Sequence, residues 1–161
     1  MEWVLILGIS AVIIVIAVAV GQKRNQQLTD EGKVIKRDIS FVESASTFTM
    51  TGADFAKIVT ALKSMDISGT GASWESKGTT QTIVFKSNHG WAAQLNALES
   101  DGEKYRYRFQ FTNWETQRGI PWRIDTMNML LTAIEKAFLS IDPSTQVETT
   151  QFKTKTKNSF I

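Results

Sequence analysis

Residues 3–20, from Trp3 to Val20, are eighteen consecutive apolar or small side chains with no charge among them. As a helix rising about 1.5 Å per residue, such a run spans roughly 27 Å, close to the hydrocarbon thickness of a bilayer. Its β-branched residues disfavour a helix in water. In lipid that preference is overridden, because only a helix satisfies every backbone N–H and C=O within one segment. The run therefore predicts a single transmembrane anchor over residues 1–21, carried by Trp3, Leu5, Ile9, Ile13, Ile16 and Val20.

Two other readings fit parts of it. Ala17-Val18-Ala19 has the form of a signal-peptidase site, but only Met1 and Glu2 precede the run, with no Lys or Arg, and it outlasts the usual apolar region of a signal. A core helix of a water-soluble domain is the third reading, and this run is long for one. Ala17 and Gly21 make a small-xxx-small pair that suits close helix approach, although small residues are common in any span.

Charge gives the orientation. Lys23 and Arg24 follow the run directly, whereas Glu2 precedes it, and basic residues next to a span stay on the cytoplasmic side. The expectation is a cell-membrane protein with its N-terminus outside and its domain in the cytoplasm. Residues 22–38 are mostly polar and read as a juxtamembrane linker. Residues 39–152 are of ordinary size for one domain.

Within that domain the chain alternates from about Ser40 to Met50, which predicts a strand. Thr51 is the expected cap of a helix whose apolar stripe is Phe55, Ile58, Val59, Leu62 and Met65. Short runs between Lys77-Gly78, Ser87-Asn88-His89-Gly90 and Ser100-Asp101-Gly102 predict four antiparallel strands, because Gly takes the positive φ of tight turns. The sharpest alternation sets Tyr105, Tyr107, Phe109 and Phe111 against Arg106, Arg108, Gln110 and Thr112. A second helix, from about Trp122 to Ser140, carries a stripe through Met127, Leu131, Ile134 and Phe138, and Asp142-Pro143 stops it. The expected class is α+β: an N-terminal transmembrane helix, then an antiparallel sheet of about five strands with two helices on one face, in the order β-α-β-β-β-β-α. Residues 146–153 are a candidate edge strand.

Little in the chain points to catalysis. With no Cys, there are no disulfides, thiolate metal sites or thiol nucleophiles. His89 is the one histidine, and it falls in a turn without the second base or ligand that a triad or zinc site needs. Glu99, Asp101 and Glu103 share another turn, where solvated charge is the ordinary reading. No phosphate-binding loop, nucleophile elbow or metalloprotease motif occurs. The expectation is a non-enzyme with no cofactor and no metal.

A formal charge of +2 is too mild to imply nucleic acid. The Tyr105-Arg106-Tyr107-Arg108 strand does not imply it either, because its aromatics and arginines point to opposite faces. Arg106, Arg108, Arg118 and Arg123 are the candidate partner surface. Lys153, Lys155 and Lys157, in a basic tail over residues 153–161, are candidates for contact with anionic lipid. Two functions follow: an accessory, scaffold or assembly subunit of a membrane complex, or a tethered module for a lipid or other apolar ligand held between the sheet and the second helix.

Overall fold

The computed structural model describes residues 28–152. The chain divides into two compact units, residues 1–36 and 37–161. The described part of the first, residues 28–36, begins with a helical turn at residues 28–30, closed where the N–H groups of Lys33 and Val34 donate to the Leu28 carbonyl. Gly32 supplies the positive φ of 66° that this closure requires.

The second unit opens on a 3-10 turn, Ile39–Glu43, in a stretch whose alternation predicted strand. Asp38 decides the matter by accepting a hydrogen bond from the Ser40 N–H at 2.9 Å. That bond depresses the Asp38 carboxyl below its usual range. Strand β1 follows as Ser44–Thr51. Helix α1 is Phe55–Lys63, and its cap is Asp54 rather than Thr51: the Asp54 carboxylate accepts from the Lys57 N–H at 2.9 Å. Thr51 instead ends β1, where its N–H and hydroxyl donate to Asp142. An Asp three residues before a free N–H satisfies it better than a Thr one turn further back.

Strands β2 (Ala72–Lys77), β3 (Thr82–Ser87), β4 (Trp91–Ala97) and β5 (Lys104–Trp114) form the expected meander. A two-stranded hairpin comes next, with β6 as Thr116–Gln117 and β7 as Ile120–Pro121. Helix α2 is Ile124–Ile141, and β8 is Gln146–Gln151. The main sheet is antiparallel and has six strands in the order β2-β3-β4-β5-β1-β8, so the candidate edge strand completes it. β1 pairs with β5 in a register that sets Phe48 opposite Tyr107.

One face of this sheet is the core face. Phe48, Met50, Ile83, Phe85, Leu95, Tyr107, Phe109 and Phe111 lie in a single buried cluster with Ile58 and Leu62 of α1 and Met127, Leu130, Ile134 and Phe138 of α2. Phe138 stacks on Phe48 at 4.5 Å between ring centroids and meets Tyr107 edge-on at 5.5 Å. The aromatic face of β5 and the stripe of α2 thus pack against each other.

A second side of α2 is also covered, which its apolar stripe does not reveal. Arg37 donates to Asn128, Thr132 and Glu135, at successive turns of that helix. The Arg37 and Glu135 side chains are only 13% and 16% exposed. Removing one partner of a shielded pair strands the other charge. Arg37→Ala is therefore expected to lower the unfolding free energy by about 2 to 3 kcal/mol in urea titration. A loss below about 0.5 kcal/mol would mark the pair as solvent-like.

Candidate functional site

The β6–β7 hairpin is the most unusual surface feature of the domain. Its two central residues, Arg118 and Gly119, have φ of 53° and 77°, the positive pair that a type I′ turn needs. Arg118 is strained there, as non-glycine residues seldom adopt such a φ. Arg123, the residue before α2, is also left-handed, at φ 58° and ψ 39°, and its side chain makes no capping bond.

Hydrogen bonds explain how this geometry is held. The Arg123 carbonyl accepts from the Thr126 N–H at 3.0 Å and the Thr126 hydroxyl at 2.8 Å. That hydroxyl accepts in turn from the buried Trp91 indole N–H at 2.9 Å. At the base of the hairpin the Trp122 N–H donates to the Glu115 carbonyl at 2.7 Å, and the Glu115 N–H to the Gly90 carbonyl at 3.2 Å. Gly90 has a φ of 78°, the left-handed region that favours glycine, and the Glu115 carboxylate rests over it.

What the hairpin presents is apolar and cationic together. Ile120 is 55% exposed and Trp122 41%. The Arg123 guanidinium lies 5.2 Å from the Trp122 ring centroid, within reach of a cation–π contact. Trp, Arg and a branched aliphatic residue are a frequent combination where proteins or membranes are met.

The second candidate surface is the open face of the sheet. Alternation puts Arg106, Arg108 and Gln110 there, opposite the core. Strand pairing extends a row through Arg108: Glu148, Thr47, Arg108, Asn96 and Thr82 lie side by side across β8, β1, β5, β4 and β3. The neighbouring row includes Gln110, Gln94 and Val84. Among the described residues, the Arg108 Nε is buried without a hydrogen-bond partner.

Of the four candidate arginines, Arg106 and Arg108 are within β5, and Arg118 and Arg123 follow it in the chain. From Arg108 to Trp114 is six residues of strand, roughly 20 Å at about 3.3 Å per residue, and Arg118 and Arg123 lie beyond that end. Trp3, Leu5, Ile9, Ile13, Ile16 and Val20, together with Lys23 and Arg24, lie outside the described residues, as do Lys153, Lys155 and Lys157. Among the described residues no helix is long and apolar enough to cross a membrane.

Polar clusters elsewhere are engaged in structure. Asp142, 9% exposed, accepts from the Thr51 N–H at 2.9 Å and hydroxyl at 3.1 Å, and from the Ser144 N–H at 2.8 Å and hydroxyl at 2.5 Å. These bonds, the Ser144 hydroxyl foremost, hold its carboxyl down to about 2. They clamp the end of α2 to the end of β1. Because the folded-state value is depressed, the stabilisation is full above the ordinary carboxylate range and is lost as pH falls from about 4 toward 2. Thermal midpoints of the parent chain are expected to fall more steeply across that window than those of Asp142→Asn, and parallel slopes would contradict the clamp.

Asp101 is likewise occupied: its carboxylate accepts from the Glu103 and Lys104 N–H groups, and the Lys104 bond chiefly lowers its pKa. Among the described residues no group of His, Asp and Glu is placed to hold a metal ion. A cleft of about 420 Å³ lies where the start of α1 meets the ends of β4 and β5, lined by Asp54, Phe55, Leu98 and Tyr105 among others. Burial and the nearby Asp54 and Tyr105 charges push the phenol of Tyr107, on the same cleft, well above its usual range. The Tyr107 hydroxyl is committed to the Ala53 carbonyl at 2.7 Å.

The sequence reading missed the hairpin. Strands of two residues are too short to show periodicity, and Pro121 argues against strand. The available signal was Arg118-Gly119 between two short runs, a Gly at the second position of a two-residue turn. Comparison with known proteins adds no relative: no protein-family model matches this chain, and no curated protein is significantly similar to it.

Proposed function

We propose that this chain is a single-pass, membrane-anchored accessory or scaffold subunit whose α+β domain works through protein–protein contacts. The observation that carries the reading is the uncharged run at residues 3–20, followed directly by Lys23 and Arg24. The charge order favours a cytoplasmic domain. The open sheet face supports a contact role, because it presents Arg106 and Arg108 beside the polar side chains of neighbouring strands, and Arg is frequent where proteins meet.

The test is site-specific crosslinking in native membranes followed by purification in mild detergent. A photoreactive residue at Gln94 is expected to yield a discrete adduct that Arg106→Glu/Arg108→Glu abolishes without shifting the melting temperature. A lone monomer in detergent with no adduct would refute the contact role, and release of the chain by alkaline carbonate would refute the anchor.

A second reading is a tethered module for an apolar ligand; the expected place for it, between the sheet and α2, is filled by packed side chains, and what favours the reading is instead the cleft beside Phe55 and Tyr105, whose volume falls in the range of small-ligand sites. A fluorescent fatty-acyl probe is expected to bind there and to be displaced by Ser100→Trp. Equal binding to both chains would remove this reading.

A further inference from the structure

We propose that the 116–121 hairpin, with Trp122 and Arg123, is a lipid-contacting wedge that seats on an anionic bilayer surface. Ile120, Pro121 and Trp122 would enter the boundary between headgroups and acyl chains, and Arg118 and Arg123 would pair with lipid phosphate. The inference rests on the membrane-anchored reading above.

Three observations carry it. The first is exposure: Ile120 and Trp122 are open to solvent at 55% and 41%, and they flank Pro121 in the sequence. Trp favours the bilayer interface, where its ring is sheltered and its N–H stays wet. The second is charge. The tip carries Arg118 and the base Arg123, whose forked donors suit phosphate oxygens. The nearest carboxylate in sequence before the hairpin, Glu115, is turned back over Gly90, and Asp125 lies beyond Arg123 in the first turn of α2.

The third observation is preorganisation. The Trp91–Thr126–Arg123 chain of hydrogen bonds and the Trp122–Glu115 bond fix the wedge before it meets anything, so little ordering entropy opposes contact. Two arginines are held in a backbone conformation that arginine avoids.

A wedge this small would hold a free protein to a bilayer only weakly. Sixteen residues separate Val20 from Arg37, so a domain tethered through them meets the surface at high effective concentration, and a weak contact is then occupied.

The absence of cysteine makes the test clean. Single-cysteine chains Ile120→Cys and Lys77→Cys, the latter at the opposite end of the sheet and exposed, are labelled with an environment-sensitive fluorophore. The full-length chain is reconstituted into phosphatidylcholine vesicles with and without phosphatidylserine, and flotation is scored on the same samples. The label at 120 is expected to shift to the blue and to be quenched by nitroxide lipids when phosphatidylserine is present. Both signals should fall to the level of the label at 77 in high salt and in Arg118→Asn/Arg123→Asn, since Asn tolerates the left-handed φ while removing the charge.

A label at 120 that stays aqueous on vesicles containing phosphatidylserine overturns the wedge. If such a chain still floats, the anchor stands without it. If the chain does not float but the label responds to added vesicles, the wedge stands and the anchor falls. Shielding from soluble iodide without quenching by nitroxide lipid would mean that protein covers the hairpin, which also overturns the proposal.

Discussion

Arginine at Ile9, Ile13 and Ile16 together is expected to move this chain from the membrane pellet to the carbonate-soluble fraction. Residues 3–20 contain twelve Leu, Ile and Val side chains, each contributing about −0.3 to −0.6 kcal/mol to insertion. Their sum is about −4 to −7 kcal/mol. Three arginines near the centre of the run add about 8 to 10 kcal/mol and remove three favourable residues, so the total changes sign. Replacing the same three residues with Leu should leave membrane association intact, which separates polarity from any special role of isoleucine. If the triple-arginine chain still resists carbonate extraction, the run is not what holds the protein, and the proposed placement and sidedness fail with it.

Phe138→Ala is expected to cost the domain about 4 kcal/mol of unfolding free energy, the middle of the range for a buried aromatic truncation. Phe138 is fully buried, and its ring meets both Phe48 of β1 and Tyr107 of β5, which lie opposite each other where those two strands pair. Truncation therefore loses transfer free energy, two ring contacts and the packing across one sheet register at once. Phe138→Leu keeps most of the volume and should cost less than about 2 kcal/mol. Urea midpoints of the two chains test the ordering. A loss below about 2 kcal/mol for Phe138→Ala would mean that the surrounding side chains collapse into the gap, and would weaken the account of this contact as the seam of the core.

The two helix stripes and the β5 alternation are legible in the sequence, because burial on one side of a helix or strand imposes its period on the residues themselves. Tyr107, Phe109 and Phe111 read as one face and are one face. Capping was less legible. Thr51 and Asp54 are both good cap residues, and the choice fell to Asp54 because Thr51 was needed at the end of β1 by Asp142, ninety-one residues away. The polar buried side of α2 has no apolar period to show it: Asn128 and Thr132 are buried and accept hydrogen bonds from Arg37, ninety or more residues away.

The candidate surfaces divide in the same way. Arg106, Arg108, Arg118 and Arg123 could be picked out by residue type, but they could not be sorted. The pleat sends Arg106 and Arg108 to the open sheet face, whereas Arg118 sits in the two-residue turn of the hairpin and Arg123 at the start of α2.

The sequence by itself determined the solvent preference of each segment, the α+β class and which face of most elements turns inward, since these follow from the chemistry of neighbouring residues. Tertiary structure alone decided that β1 lies between β5 and β8, that Arg37 covers α2, and that Ile120 and Trp122 stand exposed on a braced hairpin. Each of these depends on contacts between residues far apart in the chain, and no local period encodes such contacts.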